Sequence, residues 1–145
     1  MQFTIPGKPI TWKRTGRKGD MYYDRQAKYK QMYALIIQQQ MRTLMVKPVP
    51  YTEPLCLTID FYMPIPPSWS KKRGLRALRM PHRTTPDLDN LTKFIGDALN
   101  KILWVDDALI YEIHCQKFFG SEGKTVITVE PYEAGDMITP VTPCS

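Results

Sequence analysis

Asp87 and Asp89 stand one residue apart, and Asp106 and Asp107 form an adjacent pair further along the chain. Hard divalent cations such as Mg²⁺ take oxygen ligands, one or two from protein carboxylates and the rest from water and substrate phosphate. An Asp-x-Asp pair with a further aspartate suits such an ion. Lys93, four residues after Asp89 and so one helical turn on, is placed to meet a phosphate between them. Phosphodiester hydrolysis needs a polarised phosphoryl oxygen, an activated water and a stabilised leaving oxygen, all of which one or two such ions supply. Each residue alone has a plainer use, because aspartate at a helix start caps backbone N–H groups and an Asp-Asp pair makes a turn. The order Asp-Leu-Asp-Asn, lysine four residues after the second aspartate, then Trp-Val-Asp-Asp-Ala-Leu-Ile is much more restrictive than its parts. Other chemistries find less support. His82 and His114 form no ligand pair at helical spacing, and there is neither a Gly-x-x-x-x-Gly-Lys phosphate loop nor a Gly-x-Ser-x-Gly elbow.

These residues need a scaffold. Leu91, Phe94, Ile95, Ala98, Leu99 and Ile102 follow a clean helical repeat directly after the Asp87-Leu88-Asp89-Asn90 run. Trp104 to Asp107 then form a turn, and two strands over about 109–119 and 124–130 are expected to pair as a hairpin across Gly120-Ser121-Glu122-Gly123. Upstream, residues 55–63 alternate as a half-buried strand that Pro64 stops. A helix capped by Asp24 is expected to run to about Lys47, a shorter one capped by Ser68 to run through Leu78, and residues 1–5 to be extended. Residues 7–30 read as a basic stretch whose first part is a mobile loop, and Tyr22, Tyr23 and Trp69 lie in or beside basic segments where they can stack on bases. The whole is a single α+β domain over 1–131, a mixed sheet packed by helices, with a disordered or loosely packed tail over 132–145.

Charge is distributed unevenly along the chain of 145 residues. Residues 1–83 hold 16 Lys+Arg against 4 Asp+Glu, and residues 84–145 hold 4 against 10, so the halves carry +12 and −6. Such asymmetry points to a polyanionic partner. The candidate phosphate contacts are Lys8, Lys13, Arg14, Arg17 and Lys18 in the first basic stretch, and Lys71, Lys72, Arg73, Arg76 and Arg79 in the second. No apolar run is long enough to cross a membrane and no signal peptide opens the chain, so a cytoplasmic protein is expected. Cys56, Cys115 and Cys144 are distant in sequence and odd in number, which reads as free thiols.

The run from Pro86 through Asp87-Leu88-Asp89-Asn90-Leu91-Thr92-Lys93 and Asp97-Ala98-Leu99-Asn100 to Trp104-Val105-Asp106-Asp107 resembles the signature of the RusA family of Holliday junction resolvases, endodeoxyribonucleases of cells, phages and prophages. The opening Phe3-Thr4-Ile5-Pro6-Gly7-Lys8-Pro9 and the strand before Pro64 extend the resemblance over about residues 1–130. It implies a RusA-like fold and a Mg²⁺-dependent homodimer, with Mn²⁺ as an alternative ion. Such an enzyme binds branched DNA, above all four-way junctions, and nicks two strands symmetrically in DNA recombination and repair. Residue by residue, the resemblance places the essential carboxylates on Asp87, Asp89 and Asp107, with Asp106 as the alternative to Asp107, and the important lysine on Lys93. Asn90 is expected to orient Asp89 from behind. Two other readings use the same residues differently: an architectural DNA-binding protein without catalysis, and a nuclease of this fold acting on forks, flaps or other branched DNA.

Overall fold

The computed structural model describes residues 1–133, so most of the expected tail, residues 134–145, lies outside the described residues. The most apolar strand takes the centre. Leu55–Pro64 (β4) buries Leu55, Leu57, Ile59, Phe61 and Met63 on one face, as the alternation predicts. It pairs in parallel with Ile110–Gly120 (β5) and antiparallel with Lys124–Pro131 (β6), and β6 pairs antiparallel with Gln2–Pro6 (β1). The sheet order is β1-β6-β4-β5. The sheet is mixed as expected, but β5 and β6 do not form the expected hairpin. Residues 121–123 instead carry the chain across the end of β4, whose apolar residues need neighbours on both sides, while Tyr111 and Ile113 leave β5 amphipathic enough for an edge.

Ala27–Leu44 (α1) and Leu88–Leu99 (α3) cover one face of the sheet. Tyr33, Ile37 and Met41 of α1 meet Leu91, Phe94, Ile95 and Leu99 of α3 in one core with Phe3, Ile5, Ile127, Val129 and the β4 side chains. Tyr33 and Phe94 touch edge to face, ring centroids 5.2 Å apart, the arrangement aromatic quadrupoles favour. Phe94→Ala is expected to lower unfolding free energy by about 3–5 kcal/mol in urea titration, because this close-packed site cannot collapse around the void.

The helix starts differ from expectation. Gln26, not Asp24, precedes α1. Asp24 accepts from the Gln26 N–H at 2.8 Å and pairs with Lys30 at 2.8 Å, contacts that hold its carboxyl below the usual range. The Gln26 amide is buried, with Nε2 donating to the Thr11 carbonyl and Oε1 accepting from the Lys13 N–H, so it ties the first basic stretch to α1. The second helix, Lys71–Ala77 (α2), is capped by Ser70 rather than Ser68, its hydroxyl accepting from the Arg73 N–H. Nor is the first basic stretch all loop: Gly16–Lys18 (β2) and Met21–Tyr23 (β3) pair as a two-stranded ribbon, turning at Gly19 with φ +62°.

Cys115 is a free thiol as expected, but Cys56 is disulfide-bonded, which corrects the free-thiol expectation at that position; Cys144 lies outside the described residues. Tyr132, expected at the start of the tail, is held by its N–H on the Pro54 carbonyl at 2.8 Å. Among the described residues no helix is long and apolar enough to cross a membrane.

Candidate active site

Because β1, β4 and β5 run in the same direction, their carboxyl ends gather at one end of the sheet. There Asp87 opens α3. It occupies the N-cap position with extended backbone, yet its side chain makes no capping hydrogen bond, so the carboxylate is exposed and not committed to the helix it starts. That departs from the usual duty of an N-cap aspartate. Asp89, in the first turn, is also exposed and accepts from the Asn90 backbone N–H at 3.0 Å. Asn90, expected to orient Asp89, meets it here through its backbone N–H. Both carboxylates stand where the helix dipole favours negative charge.

A cavity of about 460 Å³ beside Asp87 is lined by Lys8, Pro9, Thr11, Thr85, Pro86, Asp87 and Asn90. Lys8 arrives there because Gly7 donates to the Gly123 carbonyl and the chain crosses Gly123 so closely that a Cβ would strike the Lys8 backbone at 2.7 Å. Trp12 docks the following residues on α3: its backbone N–H donates to the Asn90 carbonyl at 3.1 Å and its indole N–H to Asp97 at 2.8 Å, while the Lys93 ammonium lies 3.6 Å from the ring centroid. Trp12 therefore positions Lys93 one turn beyond Asp89, and Asp97 serves the indole.

The second basic segment reaches the same end of the sheet. Trp69 packs on Phe119 and carries the Arg73 guanidinium 3.9 Å over its ring. Arg79 and His82 then bond through their backbone N–H groups to Phe119 and Lys117 of β5. Lys8, Lys13, Arg14, Lys18, Lys71, Lys72, Arg73, Arg76 and Arg79 form no salt bridge among the described residues, whereas Arg17 meets Asp20 at 3.5 Å. Folding thus brings cations from both stretches to the end of the sheet that carries Asp87 and Asp89.

Asp106 and Asp107 lie elsewhere. Asp106 caps a 3-10 turn over Asp107–Leu109 by accepting from the Ala108 N–H, and Asp107 accepts from the indole of fully buried Trp104 at 2.6 Å. They follow the C-terminal end of α3, about 18 Å from its start for a helix of 12 residues. The strand gives the same answer: Asp107 precedes the start of β5, while Lys117, beside Asp87, is about 23 Å along it. Within one chain Asp107 and the Asp87–Asp89 pair do not meet around one ion.

Among the described residues, three potential ligand groups come within 4.8 Å of one another only at Cys56, Glu112 and His114. These lie on the opposite sheet face, and disulfide-bonded Cys56 presents no thiolate. Asp60 shares that face, because it pairs with Gln116 while Phe61 pairs with Lys117; burial pushes its carboxyl up, and it does not join Asp87. A larger cavity of about 560 Å³, lined by Tyr62, Arg79, Phe118, Glu122 and Lys124 among others, holds none of Asp87, Asp89, Asp106 and Asp107.

The sequence reading passed over two residues that position the site. One is Trp12, whose only signal is an aromatic beside Lys13-Arg14. The other is Lys117, whose ammonium donates to the carbonyls of Thr84 and Pro86, the latter at 2.6 Å. It clamps the segment leading into Asp87 onto β5. Lys117 also helps to hold the His82 imidazole below its usual range, after burial as the larger cause. Nothing in the local pattern around Lys117 marks it, since its partners are main-chain oxygens some thirty residues away.

The chain is 28% identical over 145 residues to an uncharacterized protein, YqaN, of Bacillus subtilis (strain 168), covering 92% of this chain and 98% of that one. The sequence model of endodeoxyribonuclease RusA matches residues 6–130, a span that runs from the end of β1 to the end of β6 and includes every element around Asp87, Asp89 and Lys93. On that match, the chain belongs to the RusA endodeoxyribonuclease family.

Proposed function

We propose that this protein is a metal-dependent endonuclease that resolves four-way DNA junctions by paired nicks. The observation that carries this reading is the start of α3: two exposed carboxylates, Asp87 free of its capping duty, with a lysine one turn on and unpaired cations on both sides. The donor set fits a hard cation, since both carboxylates offer oxygens to solvent and the adjoining cavity leaves room for water and phosphate. Asp87 and Asp89 would hold Mg²⁺, with Mn²⁺ as the alternative, and the ion when bound supplies Lewis acidity and an acidified water. Lys93, braced by Trp12, meets the phosphate between the carboxylates and lowers the charge they must approach. Lys8 and the α2 cations hold the flanking backbone, with an affinity that falls steeply as salt rises.

The separation of Asp107 from Asp87 and Asp89 supports a two-fold dimer in which each chain's Asp107 completes its partner's site. Two equivalent sites then face a nearly two-fold substrate, as paired nicking requires. The test is a comparison of four-way junction, fork, flap and linear duplex with and without Mg²⁺. Paired symmetric nicks in the junction alone would support the resolvase; equal cutting of forks or flaps would make it a general branched-DNA nuclease, and binding without cutting an architectural protein.

Lys117→Met is expected to lower nicking about 10–100-fold, as removal of a supporting contact behind a metal ligand does. Gel-shift affinity for the junction should stay within about threefold, because DNA is gripped by other cations. Lys117→Arg, which keeps charge and donors, should retain more activity than Lys117→Met in the same assay.

A further inference from the structure

Three large side chains in a row, Met21, Tyr22 and Tyr23, are 75%, 69% and 49% exposed on the β2–β3 ribbon. Soluble proteins rarely leave such a group bare without a use for it. Side chains alternate along a strand, so Tyr22 occupies one face of the ribbon and Met21 and Tyr23 the other. The ribbon is built to hold them. Gly16 is buried opposite Tyr23, where any Cβ would collide with the tyrosine ring. Arg17 donates to the Gly19 carbonyl at 2.7 Å, meets Asp20 and lies 5.6 Å from the Tyr22 ring centroid, which braces the turn and the ring together.

The surroundings are strongly basic. Residues 13–28 hold six Lys+Arg and two Asp, and Lys13, Arg14, Lys18 and Arg25 have no acidic partner among the described residues. The ribbon is also continuous with the candidate site, since the chain enters it directly from Lys8, Thr11 and Trp12, which line the Asp87 cavity or cover Lys93. Trp69, by contrast, is already engaged by Phe119 and Arg73.

We infer that the β2–β3 ribbon is a stacking prong for unpaired nucleobases at the branch point of DNA, with Tyr22 as its main ring. This rests on the branched-DNA reading and sharpens it. Exposed rings between cations match an unstacked base flanked by phosphates, whereas a fully paired duplex offers no free base face beside the groove. A second copy is a poor occupant, because two ribbons would bring like charges together.

The test uses a four-way junction and a flap carrying 2-aminopurine at the branch, with a paired duplex of equal length, all in EDTA so that no strand is cut. The wild-type protein should quench the branch fluorophore. Tyr22→Ala should lose the quenching and about tenfold in branched-DNA affinity, with duplex affinity unchanged and the circular dichroism spectrum that of the wild type. Tyr22→Trp should restore both. A Tyr22→Ala variant that prefers branched DNA and quenches as the wild type does would overturn the prong alone. A wild-type protein that binds branched and paired DNA equally would overturn the branched-DNA reading and the prong with it. A Tyr22→Ala variant that changes oligomeric state in sedimentation would assign the ribbon to self-association and overturn the prong.

Discussion

Asp89→Asn is expected to reduce nicking of a synthetic four-way junction by roughly 1000-fold, the scale of losing a principal electrostatic contributor at a metal-assisted phosphoryl centre. The substitution keeps size and removes only the charge. Asp89 is exposed and accepts a single hydrogen bond, from its neighbour's N–H, so the fold loses little beyond the helix-dipole contribution of about 0.3–1 kcal/mol. The melting temperature should therefore move by only a few degrees. Junction binding without metal should persist or tighten, because an uncompensated carboxylate next to a phosphate repels it. Cleavage and gel-shift assays on one preparation separate the two effects. Cutting at the wild-type rate would remove Asp89 from the metal site and leave the helix start with a purely structural carboxylate.

Mixing Asp89→Asn chains with Asp107→Asn chains tests how the acidic groups are shared. Each variant alone should be nearly inactive. If Asp107 completes the partner's site, random reassociation gives dimers of which about half contain both kinds of chain. Each such dimer has one site with Asp89 and Asp107 both intact and one with neither. Nicking should return, but as single nicks rather than paired resolution, and this is read on a junction labelled separately on each arm. If all ligands came from one chain, every site in the mixture would be defective and nothing would return. The prediction follows from the length of α3, about 18 Å, because Asp87 and Asp89 stand at its start and Asp107 follows its far end. An active Asp107→Asn variant would instead confine that aspartate to its observed contact with Trp104.

The motif aspartates, Lys93 and the helix that carries them are local features, and they were legible. The repeat from Leu91 to Leu99 is strong enough to define α3, and the helical rise then fixes Lys93 one turn from Asp89. The strand over β4 was equally plain, since alternation along one strand needs no knowledge of its neighbours. Strand partners were another matter. A short turn between two strands looks the same in sequence whether they pair or flank a third, and only competition for the two sides of β4 separates β5 from β6.

Sequence by itself determined which candidate groups this protein carries: two carboxylates and a lysine on one helix, a second acidic pair, and cations concentrated in the first half of the chain. Tertiary structure decided where those groups meet. It carried the cations of both basic stretches to the end of the sheet where Asp87 and Asp89 stand, through contacts such as Gly7 on Gly123 and His82 on Lys117 that join residues far apart in the chain. It set Lys117 and Trp12 behind the site, and it sent Asp106 and Asp107 to the other end of α3. Spacing along a chain measures distance within one element, and beyond the end of that element only packing fixes where the next residue lies.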